Sequence, residues 1–242
     1  MRIALCLKGC IGGKRKFEYD DISIAKKSFD SWKKNLLDIN ENIDVFFHCW
    51  NTDYEKEIVD WYKPKKYLCE KKDLSIKTRR YLLKSARCSD NKSIKLMRSY
   101  ELDNNINYDV VILSRFDVSI FKKINFNKEK LSLSDTLYHN ATTPIHKYKK
   151  PICKKGCCDI NSPKYEIGDL FFISNSKNMY NFITGIWDNI DEYLNHMSGH
   201  IFSYKHALKL KLKLDGSLLY TKQYNIWKDV NDGNITLTRW IV

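Results

Sequence analysis

The chain has 242 residues, of which 42 are Lys or Arg and 29 are Asp or Glu, so its formal net charge is +13. This length suffices for one α/β domain with a substantial core, and four Pro and nine Gly without a Ser/Gly-rich run give no sign of a linker. No stretch approaches a transmembrane span, and the apolar amino terminus is too short for a signal peptide, so we expect a cytoplasmic protein.

The positive charge favours an acidic partner, which could be a nucleotide diphosphate, a nucleic acid or an anionic membrane surface. The lysines are interleaved with acidic residues and no recognised nucleic-acid-binding motif is present, so we expect most lysines to be solvated. We therefore do not expect nucleic acid as the partner, whereas peripheral contact with a membrane stays open.

Of the eight cysteines, Cys6, Cys10, Cys49, Cys69 and Cys88 are expected to be reduced thiols, several of them simply core residues. Cys153, Cys157 and Cys158, with His146 upstream, could instead form a metal or disulfide clip on a loop. No paired Cys-x-x-Cys spacing exists, so their role stays open.

The first predicted strand is residues 2–7, and it is followed by a Gly-rich, basic loop. Glycine lets the backbone approach a ligand closely, and Lys8, Lys14 and Arg15 could bind phosphate. The loop matches neither Walker A nor Gly-x-Gly-x-x-Gly, and the alternative is a flexible turn with solvated lysines.

A second predicted strand, residues 44–51, follows an amphipathic helix predicted over residues 22–37. The strand is apolar until it reaches His48, Trp50 and Asn51 at its exit. Trp50 could stack on a base or sugar and Asn51 could hydrogen-bond it, or Trp50 could be an ordinary core residue.

The next elements alternate, as expected for parallel βαβ units. They are a helix over residues 55–62, a strand over 65–69, and a long helical segment over 74–105 that we expect to be interrupted near Ser89-Asp90-Asn91.

The central strand begins with the apolar run Val110 to Leu113, which suits a strand that is buried on both faces. Polar Ser114, Arg115 and Asp117 follow, at the carboxyl end where ligands bind in open α/β sheets. Asp117 could coordinate Mg²⁺ or Mn²⁺, or it could cap a turn or pair with Arg115.

The second half of the chain is less regular. Residues 121–134 carry short apolar pieces, and residues 135–163 are polar and weakly patterned, which favours a lid or binding loop. Further predicted elements are a strand over 165–176, helices over 177–193 and 200–208, an edge strand over 209–214 and a last sheet element over 218–227.

The run Tyr-Asp-Val-Val-Ile-Leu-Ser-Arg-Phe-Asp-Val at residues 108–118 resembles the metal-site strand of GT-A-fold nucleotide-sugar glycosyltransferases, in the variant whose DXD motif reads Arg-x-Asp. Such proteins occur in bacterial surface-polysaccharide loci and in large DNA viruses. The resemblance covers roughly residues 1–180 and implies one GT-A-like domain with a mixed, mostly parallel sheet flanked by helices. Residues up to about 120 would form its nucleotide-binding half and about 121–242 its acceptor half.

The resemblance also implies roles for individual residues. The nucleotide would contact Leu7, Lys8 and Gly9, with Ser93 and Arg98 beside it on a helix. Arg98 on a solvated helix face is the alternative. The diphosphate and a Mn²⁺ or Mg²⁺ ion would lie at Arg115 and Asp117, and His200 could complete the metal shell or be a surface residue. Asp169 would be the general base.

The expected function is therefore transfer of a sugar from a nucleotide-diphosphate donor to a hydroxyl of a glycan, lipid-linked or protein acceptor, with inversion or retention left open. Two other classes remain: a basic nucleic-acid-binding protein without catalysis, and a sugar nucleotidyltransferase. The sequence argues against the second class, because it has no Gly-rich, Lys/Arg-bearing triphosphate loop of the usual form.

Overall fold

The structure is a computed structural model that describes residues 1–11, 22–71, 79–129, 131–142, 167–195, 199–221 and 235–237. Its strands are β1 Ile3–Gly9, β2 Ile43–Cys49, β3 Lys66–Cys69, β4 Val110–Arg115, β5 Val118–Ile120, β6 Thr136–Thr142, β7 Ile167–Ser174, β8 Lys213–Thr221 and β9 Ile235–Leu237. Its helices are α1 Ile22–Trp32, which continues as a π-helical segment Lys33–Leu37, α2 Glu55–Tyr62, α3 Arg79–Asn104, α4 Ser176–Asp188, α5 Ile190–Asn195 and α6 Gly199–Lys209.

Seven strands form one sheet in the order β3-β2-β1-β4-β7-β6-β8. All neighbouring pairs are parallel except those that involve β7, which runs antiparallel to β4 and β6. The predicted α/β class with a mixed, mostly parallel sheet flanked by helices is confirmed. The short strands β5 and β9 pair separately.

Both faces of the sheet are covered, which explains why the central strands are continuously apolar. Side chains alternate along β1: Leu5 and Leu7 pack against α1, the π-helical segment and α2, whereas Ala4 and Cys6 pack in the layer that contains α3, α4 and α6. Cys6 and Cys49 are core residues with free thiols, as expected.

The strand order reverses at β1. The chain moves from β1 outward to β2 and β3 on one side, and α3 then returns it to β4 on the other side of β1. Such a switch point opens a crevice beyond the carboxyl ends of the two strands, where ligands of open α/β sheets bind. These ends carry Lys8 and Gly9 on β1 and Arg115 on β4.

Several predicted boundaries were wrong. The expected interruption of the long helix is absent, because α3 is continuous through Ser89 and Asp90. Part of the predicted polar loop is strand β6, which lies between β7 and β8. The helix predicted over 177–193 is divided at Asn189 into α4 and α5. The edge strand β8 overlaps the end of the edge strand predicted over 209–214 and the start of the sheet element predicted over 218–227. Among the described helices, none is long and apolar enough to cross a membrane.

Candidate functional site

Three polar side chains form a row across the carboxyl ends of neighbouring strands. His48 on β2 and Arg115 on β4 are both register partners of Lys8 on β1. By the alternation of each strand, all three belong to the face covered by α3. The sheet therefore brings together residues that are about 40 and 107 positions apart from Lys8 in the sequence.

Helix α3 places a carboxylate over this row. Lys8 Nζ lies 2.6 Å from Asp90 Oδ1, and Arg87 Nη1 lies 2.9 Å from Asp90 Oδ2. All three side chains are at most 4% exposed. Buried charges are costly unless they are paired, so this Lys8–Asp90–Arg87 cluster fixes the end of β1 against α3.

A hydrogen-bonded relay lies beside the cluster. His48 Nε2 is 2.8 Å from Glu70 Oε2, His48 Nδ1 is 2.7 Å from Ser89 Oγ, and Lys92 forms an ion pair with Glu70. The Gly9 amide donates to Ser89 Oγ at 2.8 Å. We assign the proton to Nε2, because a carboxylate only accepts, and Nδ1 then accepts from the Ser89 hydroxyl.

Burial lowers the pKa of His48, although its hydrogen bond to Glu70 opposes that effect. The hydrogen bond from Lys92 lowers the pKa of Glu70. A neutral His48 and an ionised Glu70 fit the proton positions assigned above. The relay holds Gly9 in its left-handed conformation, φ +100°, which a side chain would strain.

Trp50 and Asn51 lie at the end of β2, as predicted, but both have structural contacts. The Trp50 indole donates to the Ser85 carbonyl at 3.2 Å, packs edge-on against His48, and has the Lys92 ammonium 5.3 Å from its ring centre. Asn51 Oδ1 accepts from two backbone amides of the turn before α2, at 2.7 and 3.1 Å. Trp50 is only half-buried, so part of its surface remains accessible.

Arg115 and Asp117 form a bidentate ion pair. Arg115 Nε and Nη2 donate to Asp117 Oδ1 and Oδ2, both at 2.8 Å. Asp117 is 5% exposed, whereas Arg115 is 30% exposed. Pairing of Asp117 with Arg115 was one alternative that the sequence left open, and it is the arrangement observed.

The strand after Asp117 is firmly anchored. The Trp32 indole donates to the Val118 carbonyl at 2.7 Å, and Asn35 Nδ2 donates to the Ile120 carbonyl at 2.8 Å. Strand β5 is thereby attached to α1 and the π-helical segment, which limits how far the Asp117 turn can move.

The described donor set does not fit the predicted divalent ion. Mg²⁺ prefers an octahedral shell of oxygen ligands, yet both oxygens of Asp117 accept from Arg115. Among the described residues, no group of three or more His, Cys, Asp or Glu could hold a metal ion. His200 is in the first turn of α6, but its side chain is not among those described.

Two predicted binders lie elsewhere. Arg98 is nine residues beyond Ser89, about 14 Å along α3. It pairs with Glu101 at 2.7 Å, near the amino-terminal end of β4 and away from the crevice. Ser93 is buried beside Cys6, one turn below the relay. The resemblance implied that both lie beside the nucleotide on a helix that we expected to be interrupted near Ser89-Asp90-Asn91, whereas α3 is continuous through those residues.

The remaining predictions have partial or no structural description. The Leu7 side chain is buried in the core, so only its backbone could contact a ligand. Asp169 is in β7, and continuing the β4–β7 register places its backbone opposite Phe116, at the crevice edge. Arg15 and the cluster Cys153, Cys157 and Cys158 lie outside the described residues.

Sequence reasoning missed Arg87, Ser89, Asp90 and Glu70. The polar run at residues 89–91 indicated a break in a helix, whereas its side chains contact strand ends. Arg87 and Asp90 have the i, i+3 spacing of a helical ion pair, which was the available signal.

No known protein-family model matches this chain, and no curated protein matches it by sequence.

Proposed function

We propose that this protein is a GT-A-like glycosyltransferase, which transfers a sugar from a nucleotide-diphosphate donor to an acceptor hydroxyl. The observation that carries this proposal is the switch-point crevice, where Lys8 and Arg115 are register partners at the carboxyl ends of β1 and β4. Cations and a close-approach glycine at such a crevice suit a diphosphate-bearing ligand. The resemblance of residues 108–118 to the Arg-x-Asp variant supports the same function.

The residues of the crevice divide the work of donor binding. Arg115 is the partly exposed cation, so its guanidinium contacts the diphosphate. Lys8 is nearly buried on Asp90, so it acts as a positioning residue and contributes positive potential beneath the site. Gly9 lets the nucleotide approach the backbone, and Trp50 offers an aromatic surface at the end of β2.

Transfer then requires a base on the acceptor side. Asp169 accepts the proton of the acceptor hydroxyl while its oxygen bonds to the anomeric carbon, and the bond from that carbon to the diphosphate oxygen breaks. The nucleoside diphosphate leaves with the electron pair, and Arg115 stabilises the added charge. This single displacement inverts the anomeric centre. The acceptor is a glycan, lipid-linked or protein hydroxyl.

A thermal-shift screen against nucleotide sugars and nucleoside diphosphates tests donor binding, because a ligand that binds only the folded state raises its melting temperature. We expect UDP or GDP, or their sugars, to raise it. Arg115→Lys should weaken the effect, whereas Arg98→Lys, which alters a similar ion pair away from the crevice, should not. The absence of any stabilisation by this panel would contradict the proposal.

Asp169→Asn tests the acceptor side. Loss of a positioned base costs about 10²- to 10⁴-fold in rate, and donor affinity should survive. Product formation measures the rate and calorimetry measures donor affinity. A joint collapse of rate and donor affinity would place Asp169 at the donor or in the fold instead.

The net charge of +13 supports a second candidate, a nucleic-acid-binding protein without catalysis. Binding to RNA or DNA with a sequence preference, together with no turnover of nucleotide sugars, would favour it. Salt-sensitive binding alone would not discriminate, because any basic protein shows it.

A further inference from the structure

We propose that the donor diphosphate in this crevice is neutralised by the Arg115 guanidinium, held in place by Asp117, without a divalent metal ion. This inference rests on the proposed function and specifies how its donor site works. It departs from the metal site that the sequence resemblance implies.

The first support is the state of Asp117. Both of its oxygens accept charge-assisted hydrogen bonds from Arg115 at 2.8 Å, and the side chain is only 5% exposed. A metal ion at Asp117 would have to share these two oxygens with the Arg115 donors and would lie beside the guanidinium, a like charge. The anchoring of β5 by Trp32 and Asn35 opposes a rearrangement of the turn.

The second support is the geometry of guanidinium. It has five N–H donors in a planar fork, so one edge can hold a carboxylate while other N–H groups face a phosphate. Arg115 is 30% exposed, so part of the group faces the crevice. Asp117 therefore acts as a positioning residue, and Arg115 occupies the role that a metal ion has in a DXD site.

The third support is the charge behind Arg115. At these strand ends and on the facing part of α3, the described charges include four cations, Lys8, Arg87, Lys92 and Arg115, and three carboxylates, Glu70, Asp90 and Asp117. The row is thus cationic before any ligand binds, and an anion in the crevice meets positive potential from the protein itself.

The test measures the affinity of UDP, GDP and inorganic pyrophosphate by calorimetry, with EDTA-treated protein and again with added Mn²⁺ or Mg²⁺. We expect the affinity of the ligand that binds to change by less than about threefold between the two conditions, below the tenfold that corresponds to 1.4 kcal/mol. Binding that requires the metal would overturn this inference and leave the proposed function standing. Absence of binding in both conditions would overturn the proposed function as well.

Variants separate the positioning role from folding. Arg115→Lys and Asp117→Asn should each weaken binding by about tenfold or more, equally with and without metal, because a fixed bidentate guanidinium is lost. Asp117→Glu should recover part of the affinity. Arg98→Lys, with a similarly exposed arginine paired to Glu101, is the matched control and should bind normally. A loss confined to the metal-containing condition would contradict the inference, and unchanged melting temperatures would show that the variants fold.

Discussion

Two buried carboxylates on one helix have very different surroundings. Asp90 and Glu101 are each 1% exposed and lie 11 residues apart on α3, about 16 Å along its axis. Glu101 accepts from the Tyr108 amide at 2.8 Å, from Ser176 Oγ at 2.8 Å and from Arg98 at 2.7 Å. Asp90 instead has ion pairs with Lys8 and Arg87 at the crevice.

The difference separates a structural junction from a candidate site. The partners of Glu101 are a backbone amide, a hydroxyl and an arginine, and they join α3 to the starts of β4 and α4. The partners of Asp90 are two cations next to a glycine and an open strand end. Burial alone does not distinguish the two sites, but the chemistry of the neighbouring groups does.

Glu101→Ala should have the largest effect on stability. It leaves the Tyr108 amide and the Ser176 hydroxyl buried without their acceptor, so we expect a loss of about 4 kcal/mol in the free energy of unfolding. Urea denaturation measures it. Asp103→Ala, two residues away, removes an exposed ion pair with Lys66 and should leave the free energy of unfolding nearly unchanged. Equal losses in the two variants would contradict the assignment of Glu101 as the junction.

Asp90→Asn should be the next most damaging change, at about 3 kcal/mol, because two buried cations lose their shared carboxylate. An anion in the crevice can replace part of that charge. Pyrophosphate should therefore raise the melting temperature of Asp90→Asn more than that of the wild type, but should not rescue Glu101→Ala. Rescue of both variants, or of neither, would remove the distinction between the two carboxylates.

Two buried serines extend the comparison with smaller expected losses in the free energy of unfolding. Ser89→Ala removes the acceptor of the Gly9 amide and the partner of His48, so we expect a loss of about 2 kcal/mol and weaker donor binding. Ser176→Ala removes one hydrogen bond to Glu101, should cost about 1 kcal/mol and should leave donor binding intact. Chemical denaturation and calorimetry measure the two quantities. Weakened donor binding in Ser176→Ala would show that the two ends of α3 are not independent.

The sequence was sufficient for the elements whose patterning is strong. The apolar run Val110 to Leu113 was correctly assigned as a buried strand, and the helix at Glu55–Tyr62 has the bounds that were predicted. Strand β6, in contrast, carries Thr, His and Asn among its apolar residues, so its composition resembled a loop. It is a strand because it lies between β7 and β8, which no local pattern shows.

The candidate site likewise contains residues that the sequence predicted and residues that it did not. Lys8 and Arg115 could be identified because polar residues directly follow apolar strands, and the switch point then brings these two ends together. Asp90 could not, because a Ser-Asp-Asn run has low helix propensity and its stabilisation comes from partners on distant strands. Tertiary contacts therefore overrode the local signal at the residues that organise the crevice.

Mild acid should lower the stability of the protein through two buried histidines, and we expect this effect to be the smallest of those considered. Burial lowers the pKa of His48, and it also lowers the pKa of His206, which packs against Phe182 and Phe202 between α4 and α6. The unfolded chain then binds protons more readily than the folded one, so their contribution to stability is present above the unfolded histidine pKa of about 6.5 and is lost as pH falls through the lower folded values.

The slope of stability against pH below about 6.5 should therefore be positive, with each histidine contributing at most about 1.4 kcal/mol per pH unit, the value for one proton. His48→Gln and His206→Gln should each reduce that slope, as measured by urea denaturation at a series of pH values. The charged neighbours of His48 are Glu70, Lys92 and Asp90. Lys92→Met should diminish the contribution of His48 to the slope, because the positive charge of Lys92 opposes protonation of the ring. It should leave the contribution of His206 unchanged. A slope that does not change in His48→Gln would mean that folding does not lower the pKa of His48, which would remove the support for the proton positions assigned to the Glu70–His48–Ser89 relay.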